Sequence, residues 1–400
     1  MTKSLLTLNA GSSSLKFALF SAETLAEHGR GEIEHLGAQA RLAFRPAQGP
    51  AIAHTLSAEE GGDHHAALKT ALATIAGATP HLDVSAVGHR IVHGGMQFSK
   101  PALIDETVYA ALAALEPLAP LHQPHNLAGV RAARKLFPGA PQIGCFDTAF
   151  HRGHDFAADA YGLPRAMYDE GLRRYGFHGL SYEFLSGRLR EVAPEAARGR
   201  VVIAHLGNGA SMCGLRDGRS VASTMGFSTL DGLMMGTRSG SIDPGVVLHL
   251  ILQEKMTAAE VSKLLNKQSG LLGVSGISSD VRNLEASPEP QAAEALELFA
   301  YRVIRETGSL IAALGGLDAF VFTAGIGENS ARMRTLMTEG LDFMGLSIDS
   351  EKNNAARGRE AEITAEGSRV RTFVIPTNEE YMIAYDTKRI VAEGLSSLDE

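Results

Sequence analysis

Several segments of this sequence have the residue types and spacing to handle phosphate groups. In Asn9-Ala10-Gly11-Ser12-Ser13-Ser14-Leu15-Lys16, an apolar run breaks at a small hydroxyl-rich turn and then alternates apolar again through Phe20. The pattern reads as strand, turn, strand. Glycine and serine let backbone N–H groups converge on one spot and Lys16 adds a cation, so the turn can cradle a phosphate. It lacks G-x-x-x-x-G-K-[ST] and leads into no helix, so it is not a Walker loop. Taken alone, an ordinary Ser-rich hairpin is an equal reading. A near echo, His205-Leu206-Gly207-Asn208-Gly209-Ala210-Ser211, follows the β-rich run Val201-Val202-Ile203-Ala204. Two such hairpins imply a duplicated fold with phosphates held between the copies. Gly325-Ile326-Gly327-Glu328-Asn329 follows the apolar run at 319–323 and precedes a helix start capped by Asn329 or Ser330, a context that favours a nucleotide.

Charged groups stand where they could act on such a ligand. Arg90 lies inside the otherwise apolar strand pattern around His89-Arg90-Ile91-Val92. A buried guanidinium must meet an anion, either a carboxylate of the same chain or a ligand's carboxylate or phosphoryl oxygen. Asp147 ends a second apolar run and reads equally as a helix cap or a reacting carboxylate. His178 sits in Tyr175-Gly176-Phe177-His178-Gly179, where the flanking glycines disfavour a core role. Arg238, in a Gly-rich loop, is either a solvated surface arginine or a cation that neutralises a transferring phosphoryl group. Asn9 reads as an Asx turn or a Mg²⁺ ligand. Glu379 and Glu380 divide into a metal contact and a capping partner of Thr377.

These groups need rigid elements behind them. Helical patterns are expected at 64–77, ended by Gly77, and at 110–115, 126–137, 244–253, 258–266 and 291–314. Strands are expected at 17–21, 29–33, 84–92, 143–147, 201–204, 319–323 and 370–375, with a hairpin turn at Asp217-Gly218. A chain of 400 residues suggests two domains, divided just beyond the strand that ends at Asp147. A net charge of −8 without a basic block argues against a nucleic-acid partner. No apolar run is long enough for a membrane helix, and no leader pattern opens the chain. Cys145 and Cys213 both sit in apolar runs, which favours a reducing compartment and so the cytoplasm.

Taken together, N-A-G-S-S-S-L-K, G-H-R-I-V-H-G-G, F-D-T-A-F-H, Y-G-F-H-G, H-L-G-N-G-A-S, G-T-R-S-G and T-A-G-I-G-E-N, in this order, closely resemble the acetate and propionate kinase family of the actin-like superfamily. The resemblance runs from Asn9 to the Thr377-Asn378-Glu379-Glu380 segment. It implies an α/β, duplicated actin-like (ribonuclease H-like) fold of two lobes with the nucleotide cleft between them. Residues 1–147 with 379–400 would form the acyl and metal lobe, and 148–378 the nucleotide and dimerisation lobe. The implied reaction is reversible in-line transfer of the ATP γ-phosphoryl group to acetate, giving acetyl phosphate and ADP, with Mg²⁺ or Mn²⁺. Asn9 and Glu379 would hold the metal, and Lys16 would touch the nucleotide phosphates. His205, Leu206, Gly207, Asn208, Gly209, Asp280, Val281, Arg282, Gly325, Ile326, Gly327, Glu328 and Asn329 would line the ATP cleft. Arg90 would bind the acyl substrate beside Val92, Leu121, Phe177 and Thr229. Asp147 would be the essential acid, with His178 and Arg238 stabilising the transition state. A homodimer paired through the C-terminal lobe is implied as well.

The chain departs from the commonest family pattern in places. His178-Gly179-Leu180-Ser181-Tyr182 stands where H-G-T-S-H is frequent, and Thr229 where a threonine-proline pair is usual. The second departure keeps propionate or butyrate open as acyl acceptors. An actin-like ATP-driven switch without any acceptor is the reading from a different class, and Arg90 argues against it.

Overall fold

The computed structural model describes residues 2–11, 14–37, 39–79 and 81–396. Ser12 and Ser13 of the expected cradle lie outside the described residues. The chain divides into two compact units, Met1–Arg152 with Asn378–Glu400, and Gly153–Thr377.

The first unit is built on β1 (Thr2–Ala10), β2 (Ser14–Ser21), β3 (Glu27–Glu34), β4 (Arg41–Pro46), β5 (Ile52–Thr55), β6 (Leu82–Ile91), β7 (Ala102–Leu103) and β8 (Gln142–Phe146), ordered β5-β4-β3-β2-β1-β6-β8-β7. β1 is antiparallel to β2 and parallel to β6, and β6 is parallel to β8. The run Leu5-Leu6-Thr7-Leu8 is apolar without alternation because both faces are covered. Leu6 and Leu8 join the core that includes Leu68 and Ile75 of helix His64–Ala78. Leu5 joins Phe20, Ala86 and Ala384 of helix Glu379–Ser396. Gly88 lets that last helix approach β6: a Cβ there would stand 2.2 Å from Thr387 Oγ1.

The second unit carries β9 (Arg200–Leu206), β10 (Ala210–Arg216), β11 (Arg219–Ser223), β12 (Ala319–Thr323), β13 (Ala361–Glu362) and β14 (Arg371–Val374), ordered β11-β10-β9-β12-β14-β13. Asp217 and Gly218 turn the β10–β11 hairpin with φ of 49° and 71°, the left-handed pair of a type I′ turn. Helix Pro290–Leu314 buries Leu296, Phe299, Val303, Leu310 and Leu314 along one stripe. Three antiparallel strands followed by two parallel ones recur in both sheets, as β3-β2-β1-β6-β8 and β11-β10-β9-β12-β14, each finished by a short antiparallel edge strand. This is the duplicated α/β arrangement that the two hairpins predict.

Some element ends differ from expectation. Gly77 lies inside helix His64–Ala78, which ends when the Thr79 N–H bonds the Ile75 carbonyl. The helices expected at 110–115 and 126–137 are Glu106–Ala113 and Gln123–Leu136; the first starts earlier because the Asp105 carboxylate caps the Val108 N–H. The last helix is capped by Asn378, whose Oδ1 accepts from the Tyr381 N–H, while the Thr377 hydroxyl is engaged with Ser181. The Gly-rich turn at 325–329 is itself a short helix, Ala324–Asn329, and Ser330 caps the next one, Ala331–Glu339. Helix Gly179–Val192 has no counterpart among the expected elements.

Candidate active site

In the first unit the adjacent ends of β1, β6 and β8 bring Asn9, Arg90 and Asp147 together. Arg90 Nε lies 2.9 Å from Asp147 Oδ1 and Nη2 lies 2.6 Å from Oδ2, a bidentate pair. The remaining nitrogen, Nη1, lies 3.4 Å from Asn9 Oδ1 and 3.8 Å from a Glu379 carboxylate oxygen. Burial works against the charge of Arg90, yet Asp147 and Glu379 outweigh it and the net shift is upward. Asp147 is buried and caps no helix: its partner is Arg90, the in-chain carboxylate that the sequence left open. Asn9 forms no turn but sits in β1 directly opposite Lys16, so both side chains project from one face. Asn126 ties the strand ends, donating to the Ala10 carbonyl at 2.7 Å and accepting from the Val92 N–H at 2.9 Å.

In the second unit His178 takes a left-handed backbone, φ 57°, at the entry to helix Gly179–Val192. Such a conformation is costly for a non-glycine residue and is commonest where function demands it. Its ring stacks on His205 with centroids 4.2 Å apart, and its Nδ1 lies 2.8 Å from Ser211 Oγ. His205 Nδ1 in turn meets Ser181 Oγ at 2.8 Å. Arg238 is held by the Thr229 carbonyl, which accepts from Nη1 at 2.8 Å. A Cβ on Gly209 would stand 3.5 Å from Arg238 Nη2 and 3.6 Å from His178 Nε2. The two side chains therefore converge over the Gly207-Asn208-Gly209 turn.

A cavity of about 880 Å³ opens in the same unit, walled by Gly207, Asn208, Asp280, Val281, Arg282, Gly325, Ile326 and Asn329. Asp280 caps helix Val281–Ala286 and pairs through both oxygens with Arg282, whose cation holds its carboxyl below the usual range. Gly236 supports the wall, since its N–H donates to the Asn208 carbonyl and a Cβ there would stand 2.0 Å from Asn208 Oδ1. Neither Glu328 nor Gly327 lines this cavity. Glu328 Oε1 instead accepts from the Ala324 and Thr377 N–H groups, and burial pushes its carboxyl upward. His205 and Leu206 are buried behind the Gly207 turn.

The whole pattern has close parallels. The model of the Acetokinase family matches residues 4–385. The chain belongs to the acetokinase family. Among relatives, a protein called acetate kinase from Methylocella silvestris is 50% identical, covering 97% of this chain and 98% of its own, and one from Rhizobium meliloti is 51% identical over 97% and 98%. Among solved structures, Porphyromonas gingivalis acetate kinase has a TM-score of 0.88 at 39% identity, covering 97% of this chain and all of its own. A propionate kinase from Francisella tularensis has a TM-score of 0.90 at 35% identity, covering 97% and 99%. Acetokinases are phosphotransferases that use a carboxylate acceptor and ATP or ADP as co-substrate, all small molecules.

Of the residues expected to shape an acyl pocket in this acetokinase, Val92 and Phe177 are buried, Thr229 is half-buried and Leu121 is exposed. Sequence reasoning missed Asn126 and the cavity residues Ser279, Glu285, Arg332, Asn354 and Arg357. Asn126 carried a usable signal, a polar side chain on the apolar face of a helix pattern. The cavity residues carried none, because they come from separate elements joined only by the fold. Among the described residues no helix is long and apolar enough to cross a membrane.

Proposed function

We propose that this acetokinase transfers the γ-phosphoryl group of ATP to acetate, reversibly, giving acetyl phosphate and ADP. What carries the reading is its full-length likeness, at about half identity, to proteins called acetate kinase. The geometry is compatible with direct in-line transfer. An acetate oxygen attacks the γ-phosphorus and the bond to the β,γ-bridging oxygen breaks, with its electrons leaving on ADP. Acetate is already anionic at neutral pH, so no base has to remove a proton. The demand is electrostatic: two anions must meet, and cations must spread the charge of the transferring group.

Arg90 answers the first demand: Asp147 fixes its plane, and Nη1, whose contacts with Asn9 Oδ1 at 3.4 Å and Glu379 at 3.8 Å are long, is the nitrogen that would turn to the acyl carboxylate. Asp147 thus positions a cation and accepts no proton. His178 and Arg238, converging over Gly209, answer the second by donating to equatorial phosphoryl oxygens. Lys16 contacts the phosphates, while Asn208, Asp280–Arg282, Gly325, Ile326 and Asn329 hold the rest of the nucleotide.

Asn9 Oδ1 and the Glu379 carboxylate fit Mg²⁺ or Mn²⁺, being hard oxygen donors that approach the same Arg90 nitrogen. Magnesium commonly takes one or two protein oxygens and completes its shell with water and phosphate. When bound, it would offset phosphate charge.

Val92, Leu121, Phe177 and Thr229 would set acyl length. One methylene in an apolar pocket is worth about 1–3 kcal/mol, so propionate should be slower rather than excluded. Thr229 and the likeness to a propionate kinase support that second acceptor. A homodimer is supported by helix Pro244–Leu252, an apolar segment in which no residue is buried and Val246, Leu248 and Leu252 are exposed. The burial of Cys145 and Cys213 as two separate thiols supports a cytoplasmic site of action.

A coupled assay of ADP release tests the reading. Release that rises and saturates with acetate supports the kinase, whereas release indifferent to every carboxylic acid would point to the acceptor-free ATP-driven switch.

A further inference from the structure

Tyr182 occupies the position where the resembling family often carries a second histidine, and none of the roles above uses it. Its side chain is fully buried one turn into helix Gly179–Val192, with its hydroxyl bonded to Ser211 Oγ. Ser211, fully buried on β10, meets His178 Nδ1 with the same oxygen at 2.8 Å. One serine hydroxyl therefore stands between a phenol and an imidazole. It has a single proton to give.

We infer that Tyr182 and Ser211 form a hydroxyl relay that holds His178 as the neutral Nε2–H tautomer, with that N–H presented beside Arg238. A phenol is a stronger donor and a weaker acceptor than an alkyl hydroxyl, because its lone pair is delocalised into the ring. Tyr182 thus donates to Ser211, and the Ser211 proton goes on to Nδ1. Burial keeps the phenol protonated, so its donor role is permanent. With Nδ1 accepting, the ring proton must sit on Nε2, the atom that lies 3.6 Å from where a Gly209 Cβ would be. His178 then donates to a phosphoryl oxygen without first becoming a cation. Tyr182 and Ser211 are positioning residues: they act through His178, as the aspartate of a hydrolase triad fixes its histidine's tautomer.

The inference rests on the reading of His178 as a phosphoryl contact, but the tautomer is observed without turnover, so the two can fail separately. Full-length protein labelled with ¹⁵N-histidine is measured by NMR, the His178 ring signals being those lost in His178→Gln. The expected parent signature is Nε2–H, eroding in Ser211→Ala and in Tyr182→Phe, which keeps the ring and its packing. In steady-state assays both variants should lose kcat by roughly 10- to 100-fold, the range typical of groups that act through a ligand. The KM for ATP and for acetate should hold, and the double variant should be no worse than Ser211→Ala. An Nδ1–H tautomer in the parent, a parental Nε2–H signature that persists unchanged in Tyr182→Phe and Ser211→Ala, or kcat losses that simply add in the double variant would overturn the relay. If the tautomer is as inferred and kcat does not move, the relay stands and His178 is not a phosphoryl contact.

Discussion

Arg90 and Asp147 meet side-on, with Nε 2.9 Å from Oδ1 and Nη2 2.6 Å from Oδ2, joining β6 to the residue that follows β8. Asp147 is 1% exposed, so truncating Arg90 removes a bidentate cation from a carboxylate held away from water. Arg90→Ala is expected to destabilise the protein by about 3–5 kcal/mol in urea unfolding and to abolish acyl phosphate formation. Arg90→Lys keeps the charge but loses the fork, and should fall between the two. Parental stability in Arg90→Ala would show that the pair does not brace the strands.

Gly209→Ala separates function from stability. The added methyl would sit 3.5–3.6 Å from Arg238 Nη2 and His178 Nε2, ordinary contact distances, so the fold should tolerate it. It would nonetheless occupy the space on which the two donors converge. The melting temperature should stay within a few degrees of the parent while kcat falls at least about tenfold, as when a donor to a developing charge is misplaced. Unchanged kcat would move the phosphoryl group away from Gly209.

Val92 follows Arg90 by two residues and is 4% exposed. Val92→Ala should widen the acyl site, raising the ratio of kcat/KM for propionate over acetate by roughly 10- to 100-fold, about the worth of one methylene. The cavity should also cost about 1–2 kcal/mol of stability. An unaltered ratio would remove Val92 from the acyl pocket.

Acidification below pH 6.5 should weaken the first unit through two buried histidines. Burial pushes His89 and His93 down from 6.5 to about 4. Between those values the unfolded chain takes up protons that the folded chain refuses. The stabilisation from these two residues is therefore complete above pH 6.5 and is lost as pH falls toward 4, by roughly 3 kcal/mol per histidine. Urea unfolding at pH 7 and pH 4.5 measures the loss, and His89→Gln should reduce it. A slope unchanged in that variant would contradict the assignment to His89.

Residues that face their partners locally were legible in the sequence. Asp217-Gly218 named its turn, and the strand-turn-strand pattern put Asn9 and Lys16 on facing arms, where they lie opposite each other. What could not be read depends on packing. The sequence demanded an anion for Arg90 but gave no means of choosing Asp147, 57 residues away at the end of the neighbouring strand. Glu328 illustrates the converse: its motif suggested nucleotide contact, but two backbone N–H groups left open by the left-handed Ala324 turn and the end of β14 draw it inward. Element interiors followed apolar periodicity. Helix ends such as Thr79 and Asn378 followed side-chain and backbone bonds that periodicity does not encode.

The most direct measurement traps acyl phosphate as its hydroxamate, with purified protein, ATP and Mg²⁺, comparing acetate, propionate and butyrate. The account predicts abundant hydroxamate from acetate, less from propionate, little from butyrate, and none in Arg90→Ala. ATP hydrolysis without hydroxamate from any of the three acids would contradict it.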